Sequence, residues 1–195
     1  GMSLRQLLKK PIFAAAIILM ICAGASEMSM AQWASAFAES ALGLTKSVGD
    51  LAGACLFATT MGISRMLYGK FGEKIDLIKF MLISGVICVV SYLLAGLSAM
   101  PIWGLVGCVM CGFSVGIMWP GSISITAPRI PKGGTALFAL LAMAGDMGGA
   151  FGPSVVGYFS QHAGDNLQAG LLTGCIFPLI MLATLIAMKK MTPEG

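Results

Sequence analysis

Charge is what this sequence has least of. Only 10% of its 195 residues are Asp, Glu, Lys or Arg, where a soluble domain carries about a quarter. Hydrophobic residues make up 57% of the chain and the mean hydropathy is +0.91, which excludes a water-soluble globular domain and leaves an integral membrane protein. Histidine occurs once, at His162 in a connecting loop. The single C-x-x-C, Cys108 to Cys111, lacks the second pair or the histidines that a zinc site requires. The six cysteines (Cys22, Cys55, Cys88, Cys108, Cys111 and Cys175) all fall in apolar stretches and read as small packing residues. No metal and no cofactor is expected. A G-x-x-x-x-G-K-[ST] motif is absent, which argues against an ATP-driven pump. The net charge of +4 is spread between apolar runs rather than gathered in a patch, so nucleic acid is not an expected partner.

What is present is a series of long apolar runs. A membrane-crossing helix needs about 20 apolar residues at a rise of about 1.5 Å each. Six segments qualify: Ile12–Phe37, Ser47–Tyr68, Ile75–Leu97, Pro101–Thr126, Thr135–Ser160 and Leu167–Met188. Turn chemistry separates them, at Gly43, at Gly69 with Gly72, at Pro101, at Pro128 with Pro131, and at Gly164-Asp165-Asn166. Ser47 with Asp50 three residues on predicts a capping box for the second helix. Gly1 ahead of Met2 reads as the scar of a cleaved expression tag, and no cleavable signal peptide is expected. The expected organisation is a lead-in over 1–10, a six-helix bundle over 11–190 and a tail over 191–195.

Lys and Arg set the orientation. Arg5, Lys9 and Lys10 precede the first helix; Arg65, Lys70, Lys74 and Lys79 surround the turn between the second and third. Arg129 and Lys132 join the fourth to the fifth, and Lys189 and Lys190 follow the sixth. Of the 12 basic residues only Lys46 lies at the other ends. Both termini are therefore expected in the cytoplasm, in a bacterial inner membrane. Gly49-Asp50-Leu51-Ala52-Gly53-Ala54 echoes Gly145-Asp146-Met147-Gly148-Gly149-Ala150, each on the second helix of a three-helix unit. Those units cross in opposite directions, so the fold class expected is an all-α, three-plus-three inverted repeat of the kind secondary transporters use.

Three carboxylates fall within spans. Asp146 sits about 11 residues into the fifth, roughly 17 Å deep. At helical spacing it shares a face with Ala139, Ala142, Gly149, Pro153 and Gly157. A mid-helix Asp costs about 2.5–3.5 kcal/mol in hydrocarbon, so this stripe must meet protein or water. Glu27 lies in the first span beside Ser26, with Ser29, Gln32 and Trp33 beyond it, and Asp50 lies near the outer end of the second. A carboxyl held out of bulk water can load and release a proton as access alternates. Trp33 and Trp119 are the aromatic candidates for a solute path, and Trp119-Pro120-Gly121 predicts a kink in the fourth helix. Gly112-Phe113-Ser114-Val115-Gly116 matches G-x-S-x-G, but it lies inside a helix rather than on a strand–turn–helix elbow. It departs too from the rhomboid-type proteases, which pair a G-x-S-G serine on a fourth helix with a histidine on the sixth: Val115 stands after the serine, and no histidine occurs in the sixth segment. No catalytic residue is therefore assigned.

Arg65-Met66-Leu67-Tyr68-Gly69-Lys70-Phe71-Gly72-Glu73-Lys74 resembles a degenerate cytoplasmic loop motif, G-x-x-x-D-[RK]-x-G-[RK]-[RK], of the major facilitator superfamily. Lys70, Gly72 and Lys74 match it; Arg65 stands at the first glycine and Gly69 at the acid. Gly148-x-x-x-Gly152-Pro153-x-x-Val156-Gly157 is similar to the family's exporter Gly-Pro motif, and Gly24-Ala25-Ser26-Glu27 with Trp33 is similar to its fucose/sugar–proton symporter branch. The chain thus resembles a C-terminal six-helix half. The resemblance implies a cavity lined by the first and fourth helices, with Glu27, Ser26, Gln32, Trp33 and Trp119 as candidates. The second and fifth would face another half through Asp50, Asp146, Gly149, Gly152 and Pro153, and the third and sixth would face lipid. The implied function is proton-coupled symport of a small solute such as a sugar. Proton-antiport export of amphipathic compounds is the alternative, and a truncated or non-transporting membrane protein a further one. Expected partners are the bilayer, the solute, protons and a second six-helix half, either a copy of this chain or an N-terminal half.

Overall fold

The computed structural model describes residues 1–191, so the expected tail lies outside the described residues except for Met191. Among the described residues ten α-helices follow in order: α1 (Leu4–Leu8), α2 (Pro11–Ala31), α3 (Ala34–Leu42), α4 (Lys46–Phe71), α5 (Leu77–Leu97), α6 (Pro101–Val115), α7 (Met118–Thr126), α8 (Gly134–His162), α9 (Leu167–Gly174) and α10 (Ile176–Lys190). They make six spans long and apolar enough to cross a membrane: α2–α3, α4, α5, α6–α7, α8 and α9–α10. The architecture is all-helical, as half of a major-facilitator fold would be.

Helix ends follow the local chemistry. Pro11 and Pro101 open α2 and α6 at the first position, where a missing N–H costs nothing. Asp76 caps α5 by accepting from the amides of Ile78 and Lys79, at 3.1 and 3.4 Å, and Asn166 caps α9 in the same way. Gly43 closes α3 in the left-handed conformation, at φ 62°. The capping box expected at Ser47 and Asp50 does not form. Thr45 is already the extended N-cap residue, so Ser47 falls inside the first turn and Asp50 points outward.

Three spans are interrupted. Those of α6–α7 and α9–α10 break just before Pro120 and Pro178, each at the third position of the helix that resumes. The first span breaks without a proline, at Gln32 and Trp33, where the Trp33 N–H tightens onto the Met30 carbonyl at 3.1 Å.

The first and fourth spans are the most enclosed, and α4 and α8 the most exposed. α8 lies along α2 in the most extensive helix pair of the molecule, and α4 lies along α6. Small residues make the first of these approaches possible: a Cβ on Gly148 would overlap the Ile21 carbonyl, and one on Gly24 the carbonyl of Gly145. Tyr92, fully buried on α5, ties the bundle together by donating its hydroxyl to the Ser26 carbonyl at 2.7 Å. The N-terminal segment is folded rather than trailing. Ser3 and Gln6 form a capping box, Leu7 is buried, and the Met2 amide donates to the Lys132 carbonyl at 2.8 Å.

Candidate functional site

A cavity of about 510 Å³ opens between α2, α4, α7 and α8. Each helix contributes one polar or aromatic group: Glu27 from α2, Arg65 from α4, Trp119 from α7 and Asp146 from α8, with Met28 and Gly149 also in the lining. Glu27 and Trp119 are half-buried, whereas Asp146 and Arg65 are exposed on the open side. Gly145 admits the indole, since a Cβ there would stand 2.5 Å from Cζ2 of Trp119. Arg65 is held by its Nε, which donates to the Gly116 carbonyl at 2.9 Å. Two carboxyls, one guanidinium and an aromatic face in a space of this size suit a small organic solute carrying positive charge, or a proton exchanged against one.

Glu27, Trp119 and Asp146, all expected site residues, therefore meet in one place. Arg65 and Gly149 join them; the other cavity candidates, Ser26, Gln32 and Trp33, do not. Ser26 is fully buried on α2 and offers its carbonyl to Tyr92 on α5. Gln32 is exposed at the break in the first span, and Trp33 is half-buried with its indole nitrogen enclosed. Gly152, expected on a face toward another half, is instead packed inside this bundle against Ala25 and Ser29. The tightly packed glycines of α8 are Gly145, Gly148 and Gly152, one face round from the Asp146 stripe, because α2 occupies that side. Gly149 and Pro153 are half-buried, and Asp50 is exposed. In both echoed segments the glycine is buried and the aspartate exposed.

Arg65, read as the start of the loop motif, lies within α4, as the expected span Ser47–Tyr68 has it, and it also lines the cavity. Lys70 is also helical, and only Gly72 and Lys74 belong to the following 3₁₀ turn. Two further expectations change. Cys55 is exposed rather than packed, and His162 ends α8, with Nδ1 2.8 Å from the Tyr158 carbonyl, rather than standing in a loop. Ser114 is buried and donates to the Cys111 carbonyl at 2.8 Å, a helical back-bond that leaves no nucleophile to activate.

The sequence profile of the Major Facilitator Superfamily matches residues 15–194. The chain belongs to this family. Among curated proteins it is similar to the multi-drug resistance efflux pump PmrA of Streptococcus pneumoniae, from serotype 4 strain TIGR4 and from strain R6. Each is 27% identical over 159 residues, which cover 76% of this chain and 39% of the relative. The chain thus spans about two fifths of the length of the relatives it matches. No solved structure gives a significant match. As a member of the major facilitator superfamily, with six spans long and apolar enough to cross a membrane, the chain is an integral membrane protein of a transporter family.

Proposed function

We propose that this chain is one six-helix half of a proton-coupled secondary transporter that exports amphipathic, cationic compounds. The observation that carries the reading is the convergence of Glu27, Asp146 and Trp119 on one cavity, two acids and an aromatic face. The name of the multi-drug efflux relatives supports export over sugar symport.

Glu27 and Asp146 are the proposed proton carriers: protonated, they release a cation, and ionised, they hold one. The exposed faces of α4 and α8, which carry Asp50 and Asp146, are proposed to meet a second six-helix half, because a polar face left against lipid is costly. Both termini are proposed to be cytoplasmic, on the distribution of Lys and Arg. The test is accumulation of the fluorescent cation ethidium in bacteria depleted of their own exporters. Expression of the chain should lower accumulation, and Glu27→Gln or Asp146→Asn should abolish the effect. Accumulation equal to that of cells without the chain, alone and co-expressed with an N-terminal half, refutes the reading.

A further inference from the structure

We propose that Arg65 is a positioning residue that closes the gap Pro120 opens in the backbone of the fourth span, and so holds Trp119 and its own guanidinium on the cavity wall. A proline has no N–H to give, and its ring crowds the carbonyl four residues earlier. For Pro120 that carbonyl belongs to Gly116, and the helix is interrupted there, between Val115 and Met118. Gly116 is buried, so its carbonyl cannot turn to bulk water, and an unpaired carbonyl at this depth is costly.

The neighbouring helix supplies what the proline withholds. A Cβ on Gly116 would stand 2.6 Å from the Met61 carbonyl oxygen and 2.8 Å from Ser64 Cβ, so α4 is seated directly against the break. Arg65, the next residue along α4, gives its Nε–H to the orphaned carbonyl at 2.9 Å. That bond uses one of the five guanidinium donors and, because the group is planar and rigid, fixes the direction of the other four. Those remain for the cavity that Glu27 and Asp146 share with Arg65. Trp119 lies between the broken turn and Pro120, so whatever fixes the turn also fixes the indole. This inference deepens the cavity reading, but its geometry does not depend on the chain being a transporter.

The test uses the full chain in lipid nanodiscs and reads no transport, so its failure is separate from failure of the export reading. Deuterium exchange is followed over 112–126, and Trp119 emission and acrylamide quenching are followed in a Trp33→Phe, Trp103→Phe background. Arg65→Met should raise exchange just after the break about tenfold or more, as expected for loss of a bond from a charged donor, and should increase Trp119 quenching. Pro120→Ala returns an N–H to the Gly116 carbonyl. Adding Arg65→Met to that variant should then change exchange less than about twofold. Unchanged exchange and quenching in Arg65→Met, or equal effects of Arg65→Met with and without Pro120→Ala, overturns the proposal. Should Arg65→Met alone fail to fold, the Arg65→Met/Pro120→Ala chain decides: native-like folding supports the proposal, and failure overturns it.

Discussion

Replacing Gly152 by alanine tests the packing that closes the cavity from behind. The added methyl carbon would stand 2.7 Å from Ala25 Cα, 2.7 Å from Ser29 Oγ and 2.8 Å from the Ala25 carbonyl oxygen. Ordinary carbon–carbon contact needs about 3.5–4.0 Å. The serine hydroxyl can rotate away, but the Ala25 backbone cannot, so α2 and α8 must part by about 1 Å along their crossing. Overpacking of this kind costs about 1–3 kcal/mol. Glycine-to-alanine exchange in a helix also gains up to about 1 kcal/mol from propensity, and the control removes that term. Gly157, on the same helix, has open space where a methyl would stand, with nothing within 4 Å, so Gly157→Ala receives the propensity gain without the clash. The difference between the two variants isolates the steric cost. At about 2–4 °C per kcal/mol for a chain of this size, Gly152→Ala should melt roughly 2–12 °C below Gly157→Ala in the same detergent. Tryptophan fluorescence during heating is a sufficient assay. Equal melting points would mean that Gly152 is free of α2 and faces outward with the Asp146 stripe, and the packing argument for the back of the cavity would fail.

Other predictions follow from single contacts. Tyr92→Phe removes a buried 2.7 Å hydrogen bond to the Ser26 carbonyl and should destabilise the bundle by about 1–3 kcal/mol in the same melting assay, because the acceptor is left unpaired. Cys55 is exposed and the other five cysteines are buried, so N-ethylmaleimide should add one label to the folded monomer and more after denaturation, read by intact mass. Ser114→Ala should leave ethidium accumulation and melting close to those of the parent chain, since the hydroxyl only back-bonds within its own helix.

The coarse fold was legible because membrane insertion writes itself in composition: long apolar runs, punctuating Gly and Pro, and basic residues at the ends. That Asp146 and Glu27 line a cavity was legible for the same reason, since an acid in an apolar run needs a partner or water. The exact face of α8 was not. Asp146 and Gly149 are on one stripe and Gly145, Gly148 and Gly152 on the next, and glycine spacing alone does not say which of two adjacent stripes another helix will take. The contact made by Arg65 was not legible, for a more general reason. A cation near the end of an apolar run looks like the flank of a span, and this one lies only six residues before Phe71, the last residue of α4. The signal that points to its contact lay in another helix. Pro120 announces a kink, but it equally announces an unpaired carbonyl at Gly116, and a buried carbonyl must find a donor. Following Pro120 to the acceptor it orphans, and asking which nearby cation could reach it, leads to Arg65. A proline in a membrane helix is thus a statement about two residues, and the second is where a neighbouring side chain becomes fixed.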